Sequence, residues 1–83
     1  MTFRVEFEGA ALLQLKGLPP SAFDALVERV VLLVREPWDA EILGPGKDPA
    51  YRQVVFGDGG GLLSFYADNA LELVRIFDIA WIG

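Results

Sequence analysis

Three apolar runs separated by short polar breaks fill the last third of the chain. The runs cover residues 51–56, 62–67 and 71–81, and they are rich in Val, Ile, Leu, Phe and Tyr. Gly, Asp and Asn occupy the breaks between them. Short runs of this composition joined by tight turns predict a three-stranded β-meander. The meander is therefore the sheet that the rest of the chain must cover.

The last run is apolar on both of its predicted faces. Strict alternation divides its side chains into two sets: Leu71, Leu73, Phe77, Ile79 and Trp81 against Val74, Ile76, Ala80 and Ile82. A strand that is apolar on both faces is typical of the interior of a sheet. We therefore place this run inside the sheet and not at an edge.

Residues 2–8 alternate between apolar and charged side chains. Phe3, Val5 and Phe7 share one face, and the other face carries charged residues: Arg4, Glu6 and Glu8. Clean alternation predicts a strand with one buried and one wet face, suited to an edge.

Two helices are predicted between this strand and the meander. The first covers residues 10–16, with an inward stripe of Ala11, Leu12 and Leu15 and a stop at Gly17. The second has Ser21 as N-cap and ends before Pro37. Its inward stripe follows helical spacing: Phe23, Leu26, Val27, Val30, Val31 and Val34. Leu32 is predicted to be exposed.

The order of elements predicts an α+β fold, β-α-α-β-β-β, in one domain over residues 1–83. The two helices are expected to pack as a hairpin on one face of a four-stranded, mostly antiparallel sheet. A long connection, residues 36–50, carries Trp38, Ile42 and Leu43, which predict that part of it packs down.

Composition narrows the chemistry. The chain has no cysteine and no histidine, so disulfides, thiolate metal sites and imidazole catalysis are excluded, and we expect no metal and no cofactor. The net charge of −5 opposes binding to nucleic acid over the whole surface. No signal peptide and no membrane-spanning run is apparent, so we expect a cytoplasmic protein without a membrane partner.

The pattern resembles the RelE/ParE superfamily of toxins from type II toxin–antitoxin systems. The matching pieces extend along almost the whole chain: Phe3, Val5 and Phe7 in the first strand, Leu12 and Leu15 in the first helix, Leu33 and Pro37 at the end of the second, Leu43 and Gly44 in the connection, Tyr51, Arg52, Gly57 and Asp58 in the meander, and residues 73–79 in the last strand. The resemblance is stronger evidence for the fold than for an activity.

The resemblance implies a bacterial toxin that is neutralised by an antitoxin protein. RelE-like members bind RNA and cleave mRNA on the ribosome, and ParE-like members act on DNA gyrase. Three residues are the catalytic candidates that this implies: Arg52, Arg75 and Tyr66. Arg52 matches a basic position at the start of the family's second strand, and Tyr66 and Arg75 are the polar candidates in the sheet.

Structural roles for the arginines stay open beside the catalytic ones. Arg75 is expected to pair with Asp78, Glu72 or a neighbouring strand, because structural ion pairs are common. Asp78 stands among apolar residues, and an arginine is its expected partner if it is buried.

Two other functions also stay open. One is a catalytically degenerate relative that retains only protein binding and oligomerisation, which the acidic charge and the absence of histidine favour. The other is an unrelated α+β domain that forms a homodimer through its sheet edge.

Overall fold

The computed structural model describes residues 2–44, 46 and 48–83. Its regular elements follow in chain order: β1 (Arg4–Phe7), α1 (Gly9–Lys16), α2 (Pro20–Leu33), β2 (Glu41–Ile42), β3 (Tyr51–Phe56), β4 (Gly61–Asp68) and β5 (Leu73–Trp81). The predicted α+β class and order are confirmed. Two additional elements lie inside the segment predicted as a connection: a 3-10 helix (Pro37–Asp39) and the two-residue strand β2.

The described residues form one five-stranded sheet in the order β1-β5-β4-β3-β2. β5 lies between β1 and β4, and β1 lies at an edge, as the hydrophobic patterns predict. β1 runs parallel to β5, and the other three pairings are antiparallel. The polypeptide between β1 and β5 includes both helices, which cover one face of the sheet.

The core lies between the helices and that face. Five of its largest fully buried side chains come from α2, β4 and β5: Leu26, Leu63, Phe65, Val74 and Ile76. Burying a side chain of this size stabilises the fold by about 1.5–3 kcal/mol relative to leaving it in water. Within the described residues, no helix packs on the opposite face, which we call the open face.

A β-bulge in β5 changes the predicted division of its side chains. Phe65 pairs with Ile76 and Ser64 pairs with Asp78, so Phe77 is an extra residue without a partner in β4. Beyond the bulge the alternation reverses. Ile79 therefore joins Val74 and Ile76 in the core, and the prediction that Ile79 shares a face with Phe77 is wrong.

α2 buries half of the predicted stripe: Leu26 is buried, and Val30 and Val34 pack on the core. Ala22, Leu26 and Leu33 are buried, whereas three predicted inward residues are 42–49% exposed: Phe23, Val27 and Val31. The two alanines on the sheet side, Ala22 and Ala25, let the helix approach the sheet closely; the Ala25 Cβ lies near Gly57. The exposure of Leu32 is confirmed.

The helix termini and α1 also differ from the prediction. α2 begins at Pro20, with Pro19 and not Ser21 in the N-cap position. Proline suits the first helical turn because its missing N–H has no partner there. In α1, Ala11 is buried and Leu15 packs on the core, but Leu12 is 41% exposed.

The connection between α2 and β3 packs down in part, as predicted, but not through Ile42, which is 43% exposed. Pro37 and Ala40 are buried, and the Trp38 ring lies edge-on to Phe3 at 6.4 Å between centroids. Pro45 and Lys47 lie outside the described residues. None of the described helices is both long and apolar enough to cross a bilayer.

Candidate functional site

A row of polar and aromatic side chains crosses the open face. Strand register aligns Glu6 of β1 with Arg75 of β5, Arg75 with Tyr66 of β4, and Tyr66 with Tyr51 of β3. Directly paired side chains lie about 4.5–5.5 Å apart at Cβ and point to the same side of a sheet. The sheet thus brings together two of the three predicted site residues, Tyr66 and Arg75.

The aromatic end of this row is a three-ring cluster. The Tyr51 ring lies 4.9 Å from that of Tyr66 and 5.9 Å from that of Phe77, both in edge-to-face geometry. Phe77 reaches this cluster because the bulge adds it to the open face. Tyr51 remains 39% exposed, so the cluster offers a ligand an aromatic surface.

Arg75 makes a loose contact with β1. Its Nε lies 3.8 Å from Glu6 Oε1, and the two side chains are 43% and 57% exposed. The partner is therefore on a neighbouring strand, one of the three alternatives predicted. Such an exposed pair contributes little to stability, about 0–1 kcal/mol, so the guanidinium can still bind a ligand.

The row borders a shallow depression of about 520 Å³. Six side chains line it: Glu8, Tyr51, Tyr66, Asp68, Arg75 and Phe77. Two carboxylates face one guanidinium, so the lining carries a charge of −1. Asp68 is partly engaged, because its Oδ1 accepts the Leu71 N–H at 3.0 Å. This lining does not attract a phosphodiester in the way that a cluster of cations would.

Arg52 lies on the other side of the sheet. Its register partner is Phe65, a core residue, and the residues two and four positions on, Val54 and Phe56, are buried beneath the helices. The sheet therefore separates Arg52 from the other two predicted site residues, Tyr66 and Arg75. β3 alternates, and Tyr51, not Arg52, is the residue that faces Tyr66.

The Arg52 guanidinium is occupied by main-chain carbonyls. Nε donates to Pro49 O at 2.6 Å, and Nη1 donates to Trp38 O at 2.9 Å and to Ala40 O at 2.8 Å. Its Cζ also lies 5.1 Å from the Trp38 ring centroid, in cation–π geometry. These contacts tie both ends of the α2–β3 connection to β3.

Comparisons with known proteins identify the architecture. No protein-family model matches the chain, and no curated protein matches it significantly. Solved structures do match. A mutant of the E. coli toxin RelE in complex with an antitoxin RelBc peptide superposes with a TM-score of 0.84 and 17% identity, covering 100% of this chain and 86% of that one.

Two further structures extend the likeness. A chain of the toxin–antitoxin complex RelBE2 from Mycobacterium tuberculosis has a TM-score of 0.83 at 24% identity, with 98% and 99% of the two chains covered. A chain of the archaeal RelE–RelB complex from Pyrococcus horikoshii OT3 has a TM-score of 0.73 at 20% identity, with 100% and 98% covered. The chain has the RelE toxin fold.

In this RelE fold, β1 pairs only with residues 73–76 of β5, and Gln14 of α1 forms hydrogen bonds with β5 beyond them. Gln14 Oε1 accepts the Ile79 N–H at 2.8 Å, and Gln14 Nε2 donates to Asp78 Oδ1 at 3.0 Å. Asp78 is half-buried, and its partner is this amide. The prediction of an arginine partner for Asp78 is therefore wrong, because α1 places the neutral amide of Gln14 within hydrogen-bonding distance of it.

Two residues of interest were absent from the predicted site. Tyr51 belongs to the row, and alternation with its neighbour Arg52 could have revealed it. Arg29 is the second: its Nε is buried and has no hydrogen-bond partner among the described residues. The sequence signal was a cation three residues after the buried Leu26 and four before the buried Leu33. Within the described ranges, no cluster of carboxylates is placed to hold a metal ion.

Proposed function

We propose that this chain is the toxin member of a type II toxin–antitoxin pair. The observation that carries the proposal is the superposition on RelE chains along nearly its whole length, two of them taken from complexes with antitoxins. The molecule also displays the apolar surface that a protein partner would need. The antitoxin is accordingly its first proposed partner.

The proposed antitoxin surface is the outer stripe of α2, formed by Phe23, Val27 and Val31. These residues recur every four positions and are 42–49% exposed, so they form one continuous apolar line on the helix. Asp24 and Glu28 follow the first two and flank the line. An amphipathic antitoxin helix with apolar residues at the same spacing and basic residues beside them fits this surface.

The proposed target surface is the open face around Tyr51, Tyr66 and Arg75. Its exposed aromatic rings and its single guanidinium suit contacts with a protein, in which aromatic residues and arginine contribute most of the binding energy. The lining charge of −1 opposes a phosphate backbone. Of the two activities that the resemblance implies, this face therefore favours the gyrase-directed one, in which the toxin binds a protein.

RNA cleavage is the second candidate, favoured by the direct pairing of Tyr66 with Arg75. In that activity Arg75 would stabilise the charge on the phosphorane, and the Tyr66 hydroxyl would exchange a proton with the reacting oxygens. Arg52 would have to release its carbonyl partners and the Trp38 ring to take part. We therefore propose an architectural role for Arg52 in either case.

Growth of a bacterial host after induction of this chain alone tests the proposal. Arrest by the wild type that Arg75→Gln and Tyr66→Phe relieve, at matched soluble levels, would support the open face as the active surface. If the arrested cells activate a DNA-damage reporter and their transcripts stay intact, the chain acts on gyrase. If primer extension instead maps cleaved transcripts, the chain cleaves RNA.

The antitoxin surface needs its own control. Co-expression with the product of the adjacent gene should restore growth, and Val27→Lys should abolish that rescue without abolishing toxicity. Soluble folded protein that does not arrest growth would refute the toxin proposal and leave a degenerate, protein-binding relative. Light scattering would then show whether that relative is a homodimer.

A further inference from the structure

β3 is paired along its whole length on one side and only in part on the other. β4 pairs with all of β3, whereas β2 pairs with Arg52 and Gln53 alone. The Leu43 N–H donates to Tyr51 O at 2.8 Å, so alternate residues of β3 direct their main chain to the β2 side. Gln53 is the next of these and pairs with Glu41. Val55 follows Gln53 in this series, and no strand within the described residues pairs with it on that side.

The unpaired part of this edge is accessible. The Val55 side chain is 58% exposed. From Val54 to Phe56 the edge extends for about 10 Å, at roughly 3.3 Å per residue. A free main-chain N–H and C=O in such an edge are ready to pair with another extended chain.

Arg29 lies beside this edge with donors to spare. It borders two adjoining depressions of about 320 and 270 Å³, which also share Asp39, Ala40 and Val54. Its Nε is buried without a hydrogen-bond partner, and none of the described carboxylates lies within ion-pairing distance of it. A buried charged donor without an acceptor is unfavourable, so an acceptor supplied by a binding partner would stabilise this arginine.

The same strand shows how such an arginine is satisfied. Farther along β3, the Arg52 guanidinium donates to the carbonyls of Trp38, Ala40 and Pro49 in the segment that runs beside that half of the strand. Arg29 is placed on the half of the edge that β2 leaves open. A main-chain carbonyl of an added strand would be the equivalent acceptor.

The charged residues around Arg29 indicate which side chains an added strand would carry. Arg29 also borders a third depression, which Glu28 and Asp58 line. Together the three depressions are lined by five carboxylates and two guanidinium groups, which gives a charge of −3: Glu28, Glu36, Asp39, Glu41 and Asp58 against Arg29 and Arg35. This field repels a phosphate or an acidic peptide and attracts lysine and arginine side chains.

We infer that the open edge of β3 binds an extended, lysine- or arginine-bearing segment of a partner protein by strand addition. The segment pairs with the Val55 main chain, gives a carbonyl to Arg29 and sets its basic side chains against the surrounding carboxylates. This inference deepens the proposed function and rests on it for the partner's identity as an antitoxin. The binding chemistry stands on the edge alone.

A peptide titration of the purified full chain tests the inference. The probe is an acetylated and amidated hexapeptide that alternates lysine and valine, followed by amide NMR and calorimetry. We expect saturable binding and slower hydrogen exchange at the Val55 amide. A peptide with glutamate in place of lysine, and a lysine peptide with alternate N-methyl groups along one edge, should each bind at least about tenfold more weakly.

Two protein variants separate the edge from general charge. Arg29→Gln should weaken binding of the lysine peptide by about tenfold or more, because a charged donor is lost. Arg4→Gln, which removes the same charge at the opposite edge of the sheet, should change it by less than about twofold. Arg29→Lys keeps the charge but loses the guanidinium, so its effect on binding should lie between those of Arg29→Gln and Arg4→Gln.

Three results would overturn the inference: no binding at millimolar peptide, equal binding of the lysine and glutamate peptides, or binding that leaves Val55 exchange unchanged. The growth assay is independent of all three. A chain that binds the peptide but does not arrest growth refutes only the toxin proposal. A chain that arrests growth but does not bind the peptide refutes only this inference.

Discussion

Replacing Arg52 with methionine should destabilise the fold strongly, because its guanidinium joins the α2–β3 connection to the sheet. The substitution keeps an unbranched apolar stem of similar length and removes all of the donors. It would break three hydrogen bonds to carbonyls and the contact with the Trp38 ring. The matched control is Arg75→Met, which removes the same group from the open face.

The expected magnitude follows from the exposure of each bond. The bond to Ala40 O is partly buried and should contribute about 1.5 kcal/mol, whereas the two exposed bonds should contribute about 0.5 kcal/mol each. The cation–π contact adds about 0.5 kcal/mol. The total is about 3 kcal/mol, or a fall in Tm of roughly 12–24 °C for a domain of this size. Loss of the exposed Arg75–Glu6 pair should change stability by less than about 0.5 kcal/mol.

Thermal and urea unfolding followed by circular dichroism would measure both variants. A fall in Tm of less than about 3 °C for Arg52→Met would refute the architectural role, because the bonds would then contribute almost nothing. So would a fall of equal size for Arg75→Met. In either case Arg52 would become a stronger candidate for the reaction itself, and its effect on toxicity at matched soluble levels would decide the matter.

Two further substitutions test the packing. Gly61→Ala would place a methyl group against the Phe56 ring and should lower the unfolding free energy by about 1–3 kcal/mol. Gly9→Ala meets no atom within 4 Å and should raise it by up to about 1 kcal/mol; effects of the same sign in urea unfolding would contradict this reasoning. Gln14→Ala should lower it by about 1–2 kcal/mol and speed hydrogen exchange at the Ile79 amide, and unchanged exchange would show that the edge has another acceptor.

Much of the fold could be predicted from the sequence because its signals are local. β3 coincides with the predicted run 51–56, and the edge position of β1 and the interior position of β5 follow from alternation on one strand and apolar faces on the other. Turn residues and alternation depend on a few neighbouring side chains, so they are visible without the rest of the molecule.

The face that a helix buries is harder to predict from the sequence. α2 is apolar around much of its circumference, so two overlapping stripes satisfy the helical period. The sheet selects the stripe with Ala22 and Ala25, because small side chains allow close packing, and leaves Phe23, Val27 and Val31 outside. The surface proposed for the antitoxin exists because the helix packs through its smaller residues and leaves Phe23, Val27 and Val31 exposed.

The candidate site, like the fold, was predictable from the sequence only in part. The sequence by itself determined which polar side chains the sheet would carry, including Tyr66 and Arg75. It also determined that no imidazole or thiol chemistry is available to the protein.

Only the tertiary structure decided which of those side chains meet. Side chains of a strand change face with a shift of one residue, so strand register and the bulge at Phe77 control the outcome. Register placed Tyr51 beside Tyr66 and turned Arg52 to the opposite face, where it contacts the α2–β3 connection. These depend on contacts between residues far apart in the chain, and no local pattern in a single sequence encodes them.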